Sequence, residues 1–359
     1  MGRSARKETK MKVPLLKIHW KKLDKDSIYD IMSRSRDWTI GGEATELENA
    51  VSKYVGVKYG VAFNSGTSAL HALMLAYGIK GGDEVIVPSF SFIATSNCVL
   101  FVGAKPVFAD IEDKYFGLDP QDVEKKITRK TKAIIAVHYG GSPCRITELR
   151  KLAKRKGLIL IEDACESLGS KYLGQMVGSF GNSAVFSFCQ NKIVTAGEGG
   201  MVTTNDKKLA DHGKVNGKFV SLGYNWRMSN ITAALALSQF SRIEQIIKKR
   251  IANAEHFTRK IFGEPFNERG TRNVYQLYTI RIGKDRNKLQ KLLTKNGIGN
   301  KIYFEPIHLT PYYKSLGYHE GSLPVTEQIA KEVITLPMFP GLTHKEMDYI
   351  AKIVCSQIY

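Results

Sequence analysis

The hydrophobic pattern along this chain changes character twice. Through the first two thirds, short apolar runs rich in Val, Ile and Ala recur without polar alternation, at residues 59–63, 84–88, 106–110, 133–137, 158–161 and 184–188. Such runs are the signature of strands buried on both faces. Between them, residues 68–77 and 93–100 carry helical spacing, and a further strand is expected at 201–204. The alternation predicts an α/β domain around a mostly parallel sheet. From Trp226 the pattern turns helical, with an apolar-rich stretch at 231–247. After Arg250 the texture changes again. A helix, a strand pair around 273–281, a helix at 288–296, a loop rich in Pro, Tyr and His at 303–313 and a closing helix from His344 are expected. This places a large domain at 1–240 and a smaller α+β domain at 241–359.

Composition bounds the picture. The 359 residues, 43% apolar and 24% charged, suffice for two ordinary domains with a large core. No run of 18 apolar residues is present, so no membrane helix is expected. The first ten residues are basic and polar and read as an extension, with Met11 an alternative start. Five cysteines stand singly at 98, 144, 165, 189 and 355, which suits a reducing cytoplasm better than a disulfide framework or a zinc site. The formal net charge of +19 attracts polyanions. A nucleic-acid-binding regulator is one reading of that charge. However, the basic residues are spread along the chain, and no zinc-finger or RNA-recognition motif accompanies them.

Candidate chemistry gathers at the expected strand ends, where open parallel sheets bind ligands. Lys192 follows the apolar run 184–188 and precedes a glycine-rich turn, Gly197-Glu-Gly-Gly200. A lysine taken out of bulk water and fixed there can form a Schiff base with a carbonyl cofactor such as pyridoxal 5′-phosphate. Most lysines are solvated surface charges, and this one is distinguished by its flanks. Asn64-Ser-Gly-Thr-Ser68 joins a strand to a helix, and its free amides suit a phosphate as well as a plain N-cap. Asp163 ends the strand before Ala164-Cys-Glu166 and could hold a pyridinium nitrogen, or simply cap a helix. Phe92 could stack on a planar ring or belong to the core. His138, before a Gly-Gly turn, reads as structural.

Together these motifs resemble the sugar aminotransferases of the DegT–DnrJ–StrS family. The resemblance rests on Asn64-Ser-Gly-Thr-Ser-Ala-Leu70, Pro88-Ser-Phe-Ser-Phe-Ile-Ala-Thr95, Ile161-Glu-Asp-Ala-Cys-Glu166, Phe186-Ser-Phe-Cys-Gln-Asn-Lys192, Gly223-Tyr-Asn-Trp-Arg-Met-Ser229 and Glu305-Pro-Ile-His-Leu309. It implies a three-layer α/β sandwich of the fold-type I aspartate-aminotransferase kind, with pyridoxal phosphate as cofactor. It further implies Lys192 as the Schiff-base lysine and Asp163 as partner of the pyridine nitrogen. Ser187, Gly66 and Thr67 would hold the phosphate and Phe92 would stack on the ring. Asn225 would reach the cofactor phosphate of a neighbouring subunit in a homodimer with shared active sites. Tyr303 and His308 would lie near the sugar. Two departures stand out. Glu166 takes a place often held by Gln, whose amide can donate, whereas Glu donates only when protonated. Cys189-Gln190 replaces a common His-Pro pair. The implied reaction moves an amino group from an amino acid, expected to be L-glutamate, to a nucleotide-linked keto-sugar. Dehydration of a sugar or amination of an inosose are the alternatives that keep the cofactor. Lys192 argues against the dehydratase branch, which carries His there.

Overall fold

The computed structural model describes residues 11–213, 223–263 and 270–358, so the basic extension expected at 1–10 lies outside the described residues. Seven strands form the central sheet: β1 (Tyr59–Phe63), β2 (Glu84–Pro88), β3 (Lys105–Ala109), β4 (Thr131–Val137), β5 (Ile159–Asp163), β8 (Ser183–Ser187) and β9 (Gly200–Thr204). The pair β6 (Lys171–Tyr172) and β7 (Gln175–Met176) makes a separate hairpin between β5 and β8. The order across the sheet is β1-β9-β8-β5-β4-β2-β3. Only β9 runs against its neighbours; the pairings from β3 through β8 are parallel.

The unalternating apolar runs have a direct structural reading. Successive side chains of one strand enter opposite layers. Val85, Val87, Ile135, Val185 and Val202 join one core cluster. Their chain neighbours Ile86 and Ile134 join a cluster on the other side, and Phe186 and Met201 a third. Helices therefore cover both faces of the sheet, giving the expected three-layer α/β architecture.

Two expectations change. The helical stretch at 231–247 is two helices, Asn230–Phe240 and Ile243–Phe262, parted at Ser241 and Arg242. The break is a tightened turn in which the Arg242 amide bonds the Gln239 carbonyl and the Ser241 hydroxyl bonds the Ser238 carbonyl. The second difference lies at 273–281, where the strand pair is one strand, β10 (Tyr278–Arg281), whose antiparallel partner β11 (Val333–Leu336) comes from far along the chain. Residues before Tyr278 spend their amides elsewhere: Val274 bonds the Gly141 carbonyl and Leu277 that of Gly140. Helix Ile243–Phe262 bridges two cores. Ile243, Ile246 and Ile247 pack with the sheet-side cluster, whereas Ala254, Phe257 and Ile261 pack with β10, β11 and the closing helix His344–Ile358. Val13, from the other end of the chain, joins that second core.

Candidate active site

Register brings the strand ends to one edge. Val137 pairs with Asp163, and Asp163 with Val185; Ser187 and Phe63 both pair with Gly200. The loops after β1, β2, β4, β5 and β8 therefore rise from the same rim.

Asp163 is 6% exposed. Its Oδ2 accepts from the Thr95 hydroxyl at 2.7 Å and its Oδ1 from the Cys165 amide at 3.2 Å. Thr95 sits in the first turn of helix Ala94–Leu100, which follows β2. The carboxylate is thus oriented by two donors from different elements, a way of fixing an acceptor in space.

Lys192 lies in the turn after β8. That turn is closed by the Ala196 amide on the Phe188 carbonyl and needs the left-handed backbone of Gly197, φ 84°. The Nζ of Lys192 stands 3.3 Å from Oε1 of Glu166, and Oε2 of Glu166 accepts the Gly140 amide at 2.9 Å. Glu166 is therefore an acceptor on both oxygens, not the donor that a Gln could be. Burial works against charge on Lys192, but the charge of Glu166, with Asp163 behind it, outweighs it, so the amine is held protonated above its ordinary range.

Tyr303 joins this group from the loop at 303–313. Burial pushes its phenol up, the charge of Glu166 pushes the same way, and Lys192 draws it down. Its carbonyl accepts from the Tyr139 hydroxyl at 2.5 Å. Tyr303 thus lies within the field of the Lys192–Glu166 pair.

A third group forms where helix Gly66–Ala76 begins. Ser65 caps it by accepting the Ser68 amide at 3.1 Å. Among the described residues, the amides of Gly66 and Thr67 have no protein acceptor. A Cβ on Gly66 would come within 3.2 Å of Cys165 Sγ and 3.3 Å of Ser187 Cβ. The missing side chain leaves a concave cradle walled by Ser187, with a positive helix end and two free donors. Phosphate chemistry fits this cradle, an amine-bound carbonyl fits Lys192, and a pyridinium nitrogen fits Asp163. The residues present therefore fit pyridoxal phosphate.

The remaining candidates divide. Phe92 is 60% exposed beyond the end of β2, free to cover a planar ring. Asn225 is exposed, and its backbone carbonyl accepts from Asn64 at 3.3 Å, which sets it beside the loop before Gly66. His308 does not face this space. Its imidazole is wholly buried, with Nδ1 2.6 Å from the Ser89 hydroxyl and Nε2 3.1 Å from Glu327. Both nitrogens are occupied, so the geometry gives it a bracing role instead of the expected sugar contact. His138 is structural as expected: the Cys144 amide donates to its Nδ1, which leaves the ring proton on Nε2 toward Glu162. Thr95 and Gly140, which were not expected at the site from the sequence, hold the candidate residues Asp163 and Glu166. Thr95 lay inside a quoted motif, and Gly140 in the turn after β4.

Comparison with known proteins identifies the family. Residues 21–355 match the DegT/DnrJ/EryC1/StrS aminotransferase family. The chain is 36% identical over 347 residues to GDP-perosamine synthase of Caulobacter vibrioides, covering 91% of this chain and 93% of that one. It is 38% identical over 342 residues to a pleiotropic regulatory protein of Geobacillus stearothermophilus, covering 90% and 92%. Among solved structures, S. venezuelae DesV in complex with a ketimine intermediate superposes with a TM-score of 0.88 at 32% identity, over 93% of each chain. The PLP form of the putative sugar aminotransferase Spr1654 from Streptococcus pneumoniae superposes with a TM-score of 0.91 at 26% identity, over 96% of this chain and 98% of that one. The chain belongs to this aminotransferase family, and its cofactor is pyridoxal phosphate.

Proposed function

From that membership we propose that this enzyme transfers an amino group from an amino acid, L-glutamate, to the keto carbon of a sugar carried on a nucleotide diphosphate. The observation that carries the reading is Lys192: an amine, not an imidazole, half-buried in the turn after β8 and ion-paired with Glu166. Relatives named for GDP-perosamine synthesis, at 36% and 37% identity, support a nucleotide-linked sugar. The net charge of +19 would speed encounter with a dianionic substrate.

Each residue has a physical task. Gly66, Thr67 and Ser187 would hold the cofactor phosphate, Phe92 would cover its ring and Asp163 would hold the proton on its ring nitrogen. Bound there, pyridoxal phosphate supplies a carbonyl that can carry an amino group and a ring that draws electrons from the adjacent carbon. In its neutral form, Lys192 Nζ would take a proton from the substrate carbon and return it, a role worth about 10²–10⁴-fold in rate. Glu166 holds that amine in place through one oxygen while the Gly140 amide fixes the other. Tyr303 would orient a hydroxyl of the incoming sugar.

We further infer a homodimer with shared active sites. Asn225 is exposed beside the Gly66 loop. Near it, Tyr224 (40% exposed) stacks on Trp226, which meets His71 and, through it, Phe101 (52% exposed). An apolar surface of this kind favours cover by another subunit. A regulatory reading is kept alive by the name of the Geobacillus stearothermophilus relative and by the net charge. A DNA titration against salt addresses it, since a true binder shows a steep slope.

The visible spectrum of the purified protein tests the main reading. L-glutamate should shift the cofactor band, and a nucleotide-linked keto-sugar should shift it back. Lys192→Ala should abolish turnover. Wild-type turnover of a keto-sugar by that variant would overturn the assignment.

A further inference from the structure

Gln276 and Leu277, which lead into β10, reach Lys192 from both of its ends. We propose that Gln276 is a positioning residue for Lys192, clamping the peptide unit that carries the lysine; the proposal rests on Lys192 as the residue that bonds the cofactor.

The clamp acts on the backbone. Cys189 to Lys192 form a turn after β8 in which the Lys192 amide bonds the Cys189 carbonyl at 2.9 Å. The carbonyl of that same peptide unit, the one of Asn191, accepts from Nε2 of Gln276 at 2.5 Å. A peptide unit is a rigid plane that includes the next Cα, so bonds at its two opposite edges fix the point from which the Lys192 side chain starts. One bond is internal to the turn, and the other crosses 85 positions of chain.

The second reach ends on the ammonium group. The Leu277 amide bonds the Gly140 carbonyl at 3.0 Å, and the Gly140 amide bonds Oε2 of Glu166 at 2.9 Å. Oε1 of Glu166 then stands 3.3 Å from Lys192 Nζ. Two consecutive residues thus set where the lysine begins and where it ends.

Their own place is fixed. Nη1 of the buried Arg250 donates to the carbonyls of Tyr275 and Gln276 at 2.8 and 3.4 Å. The turn at 140–141 packs so closely that a Cβ on Gly141 would come within 2.9 Å of the Tyr275 and Gln276 nitrogens. Gln276 is 5% exposed, and among the described residues its Oε1 has no partner. A position that only filled space would favour an apolar side chain of the same length, which buries no unpaired polar atom. The one bond that this side chain does make falls on the peptide before Lys192.

The clamp matters at the bond to the cofactor. There the neutral Nζ adds to the aldehyde carbon of pyridoxal phosphate, a C=N bond replaces the C=O bond and one water leaves. A side chain already held in place loses less freedom when that bond forms. Pyridoxamine phosphate has the same ring and phosphate but an amine in place of the aldehyde, so it makes no such bond.

The affinities of both forms for the full-length apoprotein, measured by equilibrium dialysis, separate a clamp from general support. Gln276→Met keeps the length and removes the donor. It should weaken pyridoxal phosphate about tenfold and leave pyridoxamine phosphate unchanged. Equal weakening of both forms would make Gln276 a structural support and overturn the proposal, as would no weakening of either. Lys192→Ala is the control, and it should abolish the advantage of the pyridoxal form. If Lys192→Ala kept the wild-type ratio, Lys192 would not bond the cofactor and both readings would fall. If it lost the ratio while Gln276→Met kept it, the clamp alone would fail. If Gln276→Met does not fold, Gln276→Asn, one methylene too short to reach the Asn191 carbonyl, is read in the same way.

Discussion

The rim of the sheet and the loop at 303–313 were both expected to face the ligand, and they differ in how much hydrogen-bonding capacity they have left. On the rim, among the described residues, the amides of Gly66 and Thr67 have no protein acceptor, and Lys192 has a single carboxylate within ion-pair distance. In the loop, His308 is fully spent, with Ser89 on one nitrogen and Glu327 on the other. A brace satisfies itself within the protein, whereas a binding site keeps donors and acceptors in reserve. Tyr303, five residues before His308, is only half-buried and lies in the field of Glu166 and Lys192, with Asn191 beside its hydroxyl.

The sharpest break of this contrast is at Asp163. Asp163→Asn keeps the shape but loses the charge that would hold a ring proton. The expected outcome is a fall in kcat/KM of about a hundredfold, the size of one charge-assisted hydrogen bond, with little change in Tm. Loss of Tm with turnover intact would make Asp163 a brace like His308. Glu166→Gln should leave Lys192 less firmly protonated, seen as a downward shift of its titration in the apoprotein by NMR. An unchanged titration would remove Glu166 from the pair.

His308→Leu should do the reverse of Asp163→Asn. It leaves Glu327 with the amides of Gly321 and Leu323 but without the imidazole. The cost is about 1–3 kcal/mol in unfolding free energy, with turnover per folded molecule preserved. A loss of kcat/KM at constant stability would return His308 to the substrate. Gly66→Ala is smaller and more local. Its Cβ would press on Cys165 and Ser187, so cofactor affinity should weaken about tenfold by equilibrium dialysis while the apoprotein unfolds normally. Unchanged affinity would mean that the cradle is not where the phosphate sits.

Much of this was legible in the sequence, for a local reason. A strand buried on both faces needs only its own side chains to declare itself, and β1, β2 and β9 fall within a residue of their expected places. Lys192, Asp163 and Gly66 could be singled out because a strand end and a glycine turn are local features. What could not be read depends on distant partners. Residues 274 and 277 spend their amides on the turn at 140–141, so no local strand pair forms. His308 meets Ser89 across 219 positions, and no local pattern announces a buried brace. The Glu166 contact to Gly140 spans 26 positions, and it uses as an acceptor a position where a Gln could donate.

The smallest expected effect is also the most specific test of the brace. Burial holds the His308 imidazole below its ordinary range, with Glu327 and Asp110 pulling the other way. Above about pH 6.5 the ring is neutral in both the folded and unfolded chain, so it adds no pH dependence there. As pH falls below that value, the unfolded chain takes up the proton more readily than the folded one. Stability is then lost toward the lower folded pKa, at no more than about 1.4 kcal/mol per pH unit. His308→Leu should therefore flatten part of the acid limb of the stability curve, measured by urea unfolding at pH 7 and pH 5.5. The variant starts less stable at pH 7 and should lose less on acidification than the wild type. If both chains lose the same amount, another group carries the acid limb. If the variant instead shifts the pH profile of turnover, His308 belongs to the reacting site, and the division between reserve and brace fails at its clearest member.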